Sequence, residues 1–236
     1  MARSCSSCTG AHTGGMSIAR KIVGSGLVLL AAYGVGVRPR LKRWGATDDE
    51  LTAPYPGADV VPGGQRAATM AVTIDVPPER VWPWLVQLGG DRARWYSWDW
   101  LDNAGRPSAQ EIHPEWQVLA VGDTVKYRKG DGVVDAWVVA VLEQNRFLGL
   151  HGISDLRGTT LDPTKPLPSV YTEGLWGFQL TALPGDRTRL VLGGYEAHHP
   201  AWIAGIISFA FPALVWVMQA RMLVVLKRNA EATVGI

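Results

Sequence analysis

The sequence predicts an α+β fold in which an antiparallel sheet is closed by one long C-terminal helix. Three observations carry this. From Gly122 onward, apolar runs of strand length are separated by short turn signals. A helix-period segment, with Val81, Trp84, Leu85 and Leu88 in phase, stands between an early strand and those runs. The chain from Pro212 to about Ala232 reads as a single helix.

The elements follow in order. Trp44 to Gly64 is irregular, with one helical turn at Asp48–Leu51 and a linker marked by Pro54, Pro56, Pro62, Gly63 and Gly64. Arg66 to Val76 alternates with β-branched residues and predicts a strand. Pro77-Pro78-Glu79-Arg80 starts a helix, because proline is tolerated in a first turn; Gly89-Gly90 ends it. A second short helix is expected over Tyr96–Leu101. Strands are expected at Thr124–Arg128 and Val133–Leu142, joined by a Gly130-Asp131-Gly132 hairpin signal. Phe147–His151 is a further strand, Gly152–Ser169 a loop, Glu173–Leu183 a strand with Trp176, Phe178 and Leu180 on one face. Pro184-Gly185-Asp186 turns the chain into a last strand, Thr188–Glu196.

The N-terminal part has a different character. Ile22 to Val37 contains no charged residue. Extended back to Met16, with Arg20 and Lys21 reaching toward headgroups, it is long enough to span a bilayer. A cleaved signal peptide is the rival reading, but the four basic residues that follow favour an uncleaved signal anchor. Those residues, Arg38, Arg40, Lys42 and Arg43, outnumber Arg20 and Lys21, so the C-terminal domain is expected to face the cytoplasm. The division is then a disordered tail at 1–15, a transmembrane signal anchor at 16–37, a basic juxtamembrane segment and linker at 38–64, and a folded domain at 65–236. Met16 reads as a natural start, which would make residues 1–15 an upstream extension.

Pro200–Ala220 is also uncharged and long enough for a second span. Pro212 in its middle, and the outside placement it would give Arg221, Lys227 and Arg228, weigh against spanning. The favoured expectation is a helix buried on the sheet, with Trp202–Phe211 dipping into the membrane surface.

Charge excludes one large class of partner. Seven of the 23 basic residues precede Trp44, where there is no acid; the remaining sixteen meet 21 acidic residues, a net of −5. A body of that sign is a poor nucleic-acid binder. The two cysteines, Cys5 and Cys8, lie in the tail and cannot staple the fold; even with His12 they fall short of a tetrahedral metal site. No phosphate loop, nucleophile motif or metal spacing appears, so no cofactor is implied.

The densest signal is aromatic. Val81–Asn103 holds five of the eleven tryptophans, Trp82, Trp84, Trp95, Trp98 and Trp100. They form either an aromatic corner of the core or the wall of a cavity or membrane-facing mouth. The titratable residues in reach are Asp99, Asp102, His113, Glu115, His151 and Glu196. Asp99 and Asp102, three apart, are candidates for paired acid–base carboxylates, or for a helix cap or an ion pair with Arg92 and Arg94. His113 precedes Glu115 in a loop, where a surface turn is the plainer reading. Glu196 and Arg221 are a candidate structural ion pair.

The element order, with three sequence words, resembles the SRPBCC superfamily. The words are Arg43-Trp44-Gly45-Ala46-Thr47-Asp48-Asp49-Glu50-Leu51, Pro77-Pro78-Glu79-x-Val81-Trp82-Pro83-Trp84-Leu85-Val86-Gln87, and Trp95-Tyr96-Ser97-x-Asp99-Trp100-Leu101-Asp102-Asn103; Met218-x-x-Arg221-Met222-Leu223 also fits. The resemblance covers roughly Trp44–Glu231 and points to membrane-anchored bacterial members of the group. It implies a START-like helix-grip fold, as in polyketide cyclases and lipid-transfer domains, with a curved sheet around the C-terminal helix and an apolar ligand between them. By that resemblance, Trp137, Trp176, Phe178 and Tyr195 would wall the cavity from the sheet. Leu214, Met218 and Met222 would wall it from the helix, with Trp98 and Trp100 near the mouth. The Ala201–Phe211 stretch is more apolar than the family pattern requires. Three functions follow as expectations: a membrane-tethered module binding a lipid or other hydrophobic small molecule; a cyclase or dehydratase using Asp99, Asp102 or His113; or an interaction scaffold with a filled core.

Overall fold

A computed structural model describes residues 24–26, 28–128 and 134–232. Cys5, Cys8, His12, residues 16–23 of the expected anchor and the Gly130–Gly132 turn lie outside the described residues. The chain forms two units, residues 1–40 and 41–236. In the first, the described part is helical, with a wider π-type turn at Tyr33–Val37. Helix α1 (Arg38–Lys42) follows and crosses into the second unit. Among the described residues no helix is long and apolar enough to cross a membrane.

The second unit is α+β. Helix α2 (Asp48–Thr52) precedes strands β1 (Gln65–Arg66) and β2 (Met70–Ile74), then helices α3 (Pro78–Val86) and α4 (Asp99–Asp102). Five strands follow: β3 (Thr124–Arg128), β4 (Val134–Glu143), β5 (Phe147–Ser154), β6 (Tyr171–Leu183) and β7 (Arg187–His199). Helices α5 (Ile203–Ala210) and α6 (Pro212–Ala232) end the chain. The antiparallel sheet runs β1-β7-β6-β5-β4-β3, with β2 also paired to β7. This is the arrangement of a helix-grip fold.

Several expected boundaries moved, each for a local reason. The expected strand at 66–76 is split, because the Thr69 amide bonds to the Lys42 carbonyl (2.8 Å) rather than to β7. The short helix starts at Asp99, not Tyr96, because Tyr96 has a positive φ of 52°. Strand β5 continues through Ser154 and β7 through His199, so the sheet is longer at this end than the turn signals suggested. Pro200–Ala220 is not one straight helix: it breaks at Phe211, just before Pro212, where proline removes a helical N–H.

The second half of α6 lies on the inner face of the sheet. Met222, Leu223, Val225, Leu226 and Ala230 pack with Leu148 and Leu150 of β5, Phe178 and Leu180 of β6, Leu190 and Leu192 of β7, and Val81 and Leu85 of α3. The helix is pinned at its end, where the Lys227 ammonium donates to the Thr73 carbonyl (2.8 Å) and meets Asp75 and Glu231.

The outer face is covered by the segment that precedes the sheet. Thr47 caps α2 in a reciprocal capping box with Glu50. The Glu50 carboxylate then takes two hydrogen bonds from Arg189 of β7, at 2.6 and 2.8 Å, and their guanidinium–carboxylate pairing holds Glu50 below the ordinary glutamate range. Gly45 has a φ of +72°, and a Cβ there would fall 2.1 Å from the Ala71 carbonyl oxygen. Tyr55 lies flat on the outer face; its hydroxyl donates toward the carbonyls of Gly177 (2.8 Å) and Val191 (3.1 Å). The word around Gly45 is therefore a device for fastening this arm to the sheet.

Candidate functional site

A cavity of about 600 Å³ lies between the inner face and the first half of α6. That size is ample for a small-molecule ligand. It exists because the inner face lacks a side chain at Gly174, while the neighbouring place at Gly152 is taken by the Trp137 ring, 3.0 Å from where a Cβ would lie. Gly152 and Gly174 are paired across β5 and β6. A Cβ on Gly174 would meet nothing nearer than the Tyr195 carbonyl oxygen at 3.6 Å, so the space above it is open. Trp137 and Trp176, with ring centroids 5.9 Å apart, stand beside this gap as its walls. Trp95 adds a third ring 5.6 Å from Trp176. Met218 and Met222 close it from α6, and methionine is the side chain best able to adapt to different apolar shapes.

The expected wall is therefore found in part. Trp137, Trp176, Met218 and Met222 line the cavity. Phe178 does not: it is fully buried beneath Trp176, ring centroids 4.9 Å apart, as core. Tyr195 is corrected by strand parity. It pairs with Leu175 on the outer face and donates its hydroxyl to the Tyr55 carbonyl at 2.9 Å. Leu214 points outward from α6. Trp98 is half exposed, with its indole N–H on the Val217 carbonyl (3.2 Å) and the Arg221 guanidinium over its ring (4.9 Å). Trp100 is 72% exposed and is a surface residue.

The predicted carboxylate pair separates into two unlike groups. Asp99 is a structural tie rather than a helix cap: its Oδ1 accepts from the Asn103 side-chain amide (2.9 Å) and from the Ser108 backbone N–H (3.2 Å) and hydroxyl (3.3 Å). Asp102 contributes to the cavity wall, is 4% exposed, and neither carboxyl oxygen has a hydrogen-bond partner. Burial pushes its pKa above the usual carboxylate range; the nearby Ser97 hydroxyl, whose proton is given to the Met218 carbonyl at 3.1 Å, opposes this only in part. His113 stacks on Trp116 (4.2 Å) and bonds Glu115 (3.3 Å), away from the cavity, as a surface turn would have it. His151 pairs with Glu173 at 2.8 Å. The expected Glu196–Arg221 pair is not formed: Glu196 lies 3.6 Å from His198, and Arg221 lies on Trp98.

Much of the tryptophan-rich region is scaffold. Trp82 and Trp84 are core residues, and Trp84 meets Tyr96 edge to face at 5.8 Å. Gln87, fully buried, donates to the Tyr96 hydroxyl (2.6 Å) and the Glu111 carbonyl (3.1 Å). It accepts from the His113 amide (3.1 Å) and Gln117 (3.2 Å). One glutamine thus ties the 96–117 loop to α3, satisfying groups that would be costly to bury alone.

Trp95, Gly152 and Gly174 were missed as site residues. The signal was present in the strands themselves. Gly174 shares parity with Trp176 and Phe178, and an interior strand glycine marks a close approach or a gap.

No protein-family model matches the sequence, and no curated protein matches it. Solved structures do. A hypothetical protein, jhp0584, from Helicobacter pylori is 14% identical, with 76% of this chain and 96% of that one covered and a TM-score of 0.46. The Aha1 dimer from Colwellia psychrerythraea is 17% identical, covering 71% and 97%, with a TM-score of 0.40. Protein MLL2253 from Mesorhizobium loti is 20% identical, covering 70% and 98%, with a TM-score of 0.37.

Proposed function

We propose that this chain is a membrane-tethered binding module of the SRPBCC kind that holds a lipid or other hydrophobic small molecule between its sheet and C-terminal helix, with the domain on the cytoplasmic side. The observation that carries the reading is the cavity of about 600 Å³, walled by Trp137, Trp176, Met218 and Met222 and kept open by Gly174. A filled scaffold would close that space with side chains. Tethering rests on the uncharged run Ile22–Val37 and the basic residues after it.

The test is native mass spectrometry of the full chain, purified in a mild detergent, beside Gly174→Leu. A defined mass on the wild type that is lost from Gly174→Leu identifies a cavity ligand and separates it from lipid adhering elsewhere. Equal masses on both proteins would sink the reading.

One observation favours a second reading, an enzyme of the cyclase or dehydratase kind. Asp102 is a carboxyl at the cavity wall with raised pKa and no partner, which suits a general acid. Asp99 is already engaged by Asn103 and Ser108, so the acid would act without a paired carboxylate. Under this reading Asp102→Asn accumulates a bound mass that the wild type converts and releases. Under the binding reading both proteins carry the same mass.

A further inference from the structure

We infer that the rim of the cavity docks on a lipid bilayer through α5, which places the opening of the binding site against the membrane. Pro200–Ala220 contains no charged residue, so nothing in it opposes transfer out of water. Six of its apolar side chains are exposed: Trp202 is 69% and Ile206 63% exposed, and Phe209, Phe211, Leu214 and Val217 are exposed with them. Trp98, bonded to the Val217 carbonyl, extends the same surface. A continuous apolar surface of this kind marks an interaction site, and a short apolar helix with tryptophan at its edge suits the headgroup boundary.

Two observations select a bilayer as the occupant. Ile207, Phe211, Pro212 and Val215 line the cavity, so this surface and the opening are continuous. Lys42 lines the same cavity. The uncharged run Ile22–Val37 ends five residues before Lys42, and connectivity alone keeps its end within about 18 Å of that position. A residue of the opening is thus joined, within five positions of the chain, to the run suited to a membrane. Arg38, Arg40 and Lys42 add the charge that an anionic leaflet attracts.

The experiment uses the full chain with Cys5→Ser and Cys8→Ser, reconstituted in phosphatidylcholine–phosphatidylglycerol vesicles doped with brominated phosphatidylcholine. A bimane fluorophore is placed through Ile206→Cys or, as a control at the β4–β5 turn, through Gln144→Cys. The expected result is a blue shift and a roughly twofold loss of emission at position 206 when brominated lipid is present, and no loss at 144, because an interfacial helix buries its apolar face within reach of the acyl chains. Phe209→Glu in the 206-labelled chain is expected to restore the emission. Emission at 206 that ignores brominated lipid overturns the inference, whether the probe stays red (the patch is in water) or shifts blue (a protein covers it). None of these results depends on cavity occupancy, so failure here leaves the binding reading standing.

Discussion

The two faces of the sheet carry the same residue in neighbouring rows and use it to opposite ends. On the outer face, Gly149, Gly177 and Gly193 are aligned across β5, β6 and β7. The rings of Phe147 and Tyr55 occupy the room they leave: a Cβ on Gly177 would fall 2.8 Å from atoms of each ring. On the inner face, the Trp137 ring lies over Gly152, whereas nothing comes down onto Gly174. What differs is the covering element. The outer face receives an arm with an aromatic anchor, whereas the inner face receives a helix whose first half stands off the sheet. A glycine in a strand therefore marks a place where something approaches, and only the partner element decides whether that is a ring of the protein or a ligand.

The comparison is broken most sharply by removing the outer cover. Tyr55→Ala is expected to cost about 3–5 kcal/mol in urea unfolding, the usual penalty for deleting a buried aromatic ring, while a cavity ligand, if retained by the folded fraction, is unchanged. The arm's second fastening is polar. Glu50→Gln keeps the shape but removes the charge facing Arg189, with an expected loss of about 1.5–3 kcal/mol at neutral pH for hydrogen bonds to a charged group. The sign with pH follows from the depressed Glu50 pKa. Its stabilisation is full above the ordinary glutamate value of 4.5 and fades as pH falls through the lower folded value, so the two proteins converge in acid. A gap that persists at acid pH would show that packing, not charge, fastens the arm.

The glycines give the paired test. Gly177→Val must displace two rings and is expected to cost about 1–3 kcal/mol as overpacking. Gly174→Val meets only ordinary contacts and is expected to stay within about 1 kcal/mol of wild type, since it exchanges a flexible residue for a good strand former. It should lower ligand capacity instead. Equal destabilisation by both would mean that the inner gap is ordinary packing space.

How much of this was legible beforehand follows the range of the interactions. The element order and the start of α6 at Pro212 come from local signals, since periodicity and proline act within a few residues. The placement of Tyr195 needed the register of β6 against β7, because one step in a strand changes face. Tyr55 was unreadable as an anchor: its partners lie 122 and 136 residues away, and nothing near Pro54 or Pro56 announces them. The aromatic word held two outcomes that composition cannot separate: Trp84 on α3 is fully buried against Tyr96, whereas Trp100 on α4 is 72% exposed. The carboxylate pair failed for a related reason. Spacing placed Asp99 and Asp102 on one short helix, but Asn103 and Ser108, which engage Asp99, come from the turn beyond it.

Asp102 supplies the smallest expected effect and the sharpest reading of the inner face. Its carboxyl is buried without a partner and its folded pKa is raised, so the folded state holds the proton more tightly than the unfolded chain. Such a group costs stability once it ionises: the wild type is expected to be best placed below the ordinary aspartate value of 3.8 and to lose ground as pH rises through the higher folded value. Asp102→Asn keeps the shape without the charge. It should therefore melt above the wild type at neutral pH, by less than the glycine and arm variants change stability, and match it in acid. A variant less stable than wild type at neutral pH would mean that the carboxylate has a partner, a bound cation or a donor on a ligand, and that this face is polar where the geometry makes it apolar. The same titration in the presence of whatever co-purifies then separates the two functions. A carried hydrophobic molecule leaves the Asp102 profile in place, whereas a substrate that the carboxyl protonates moves it.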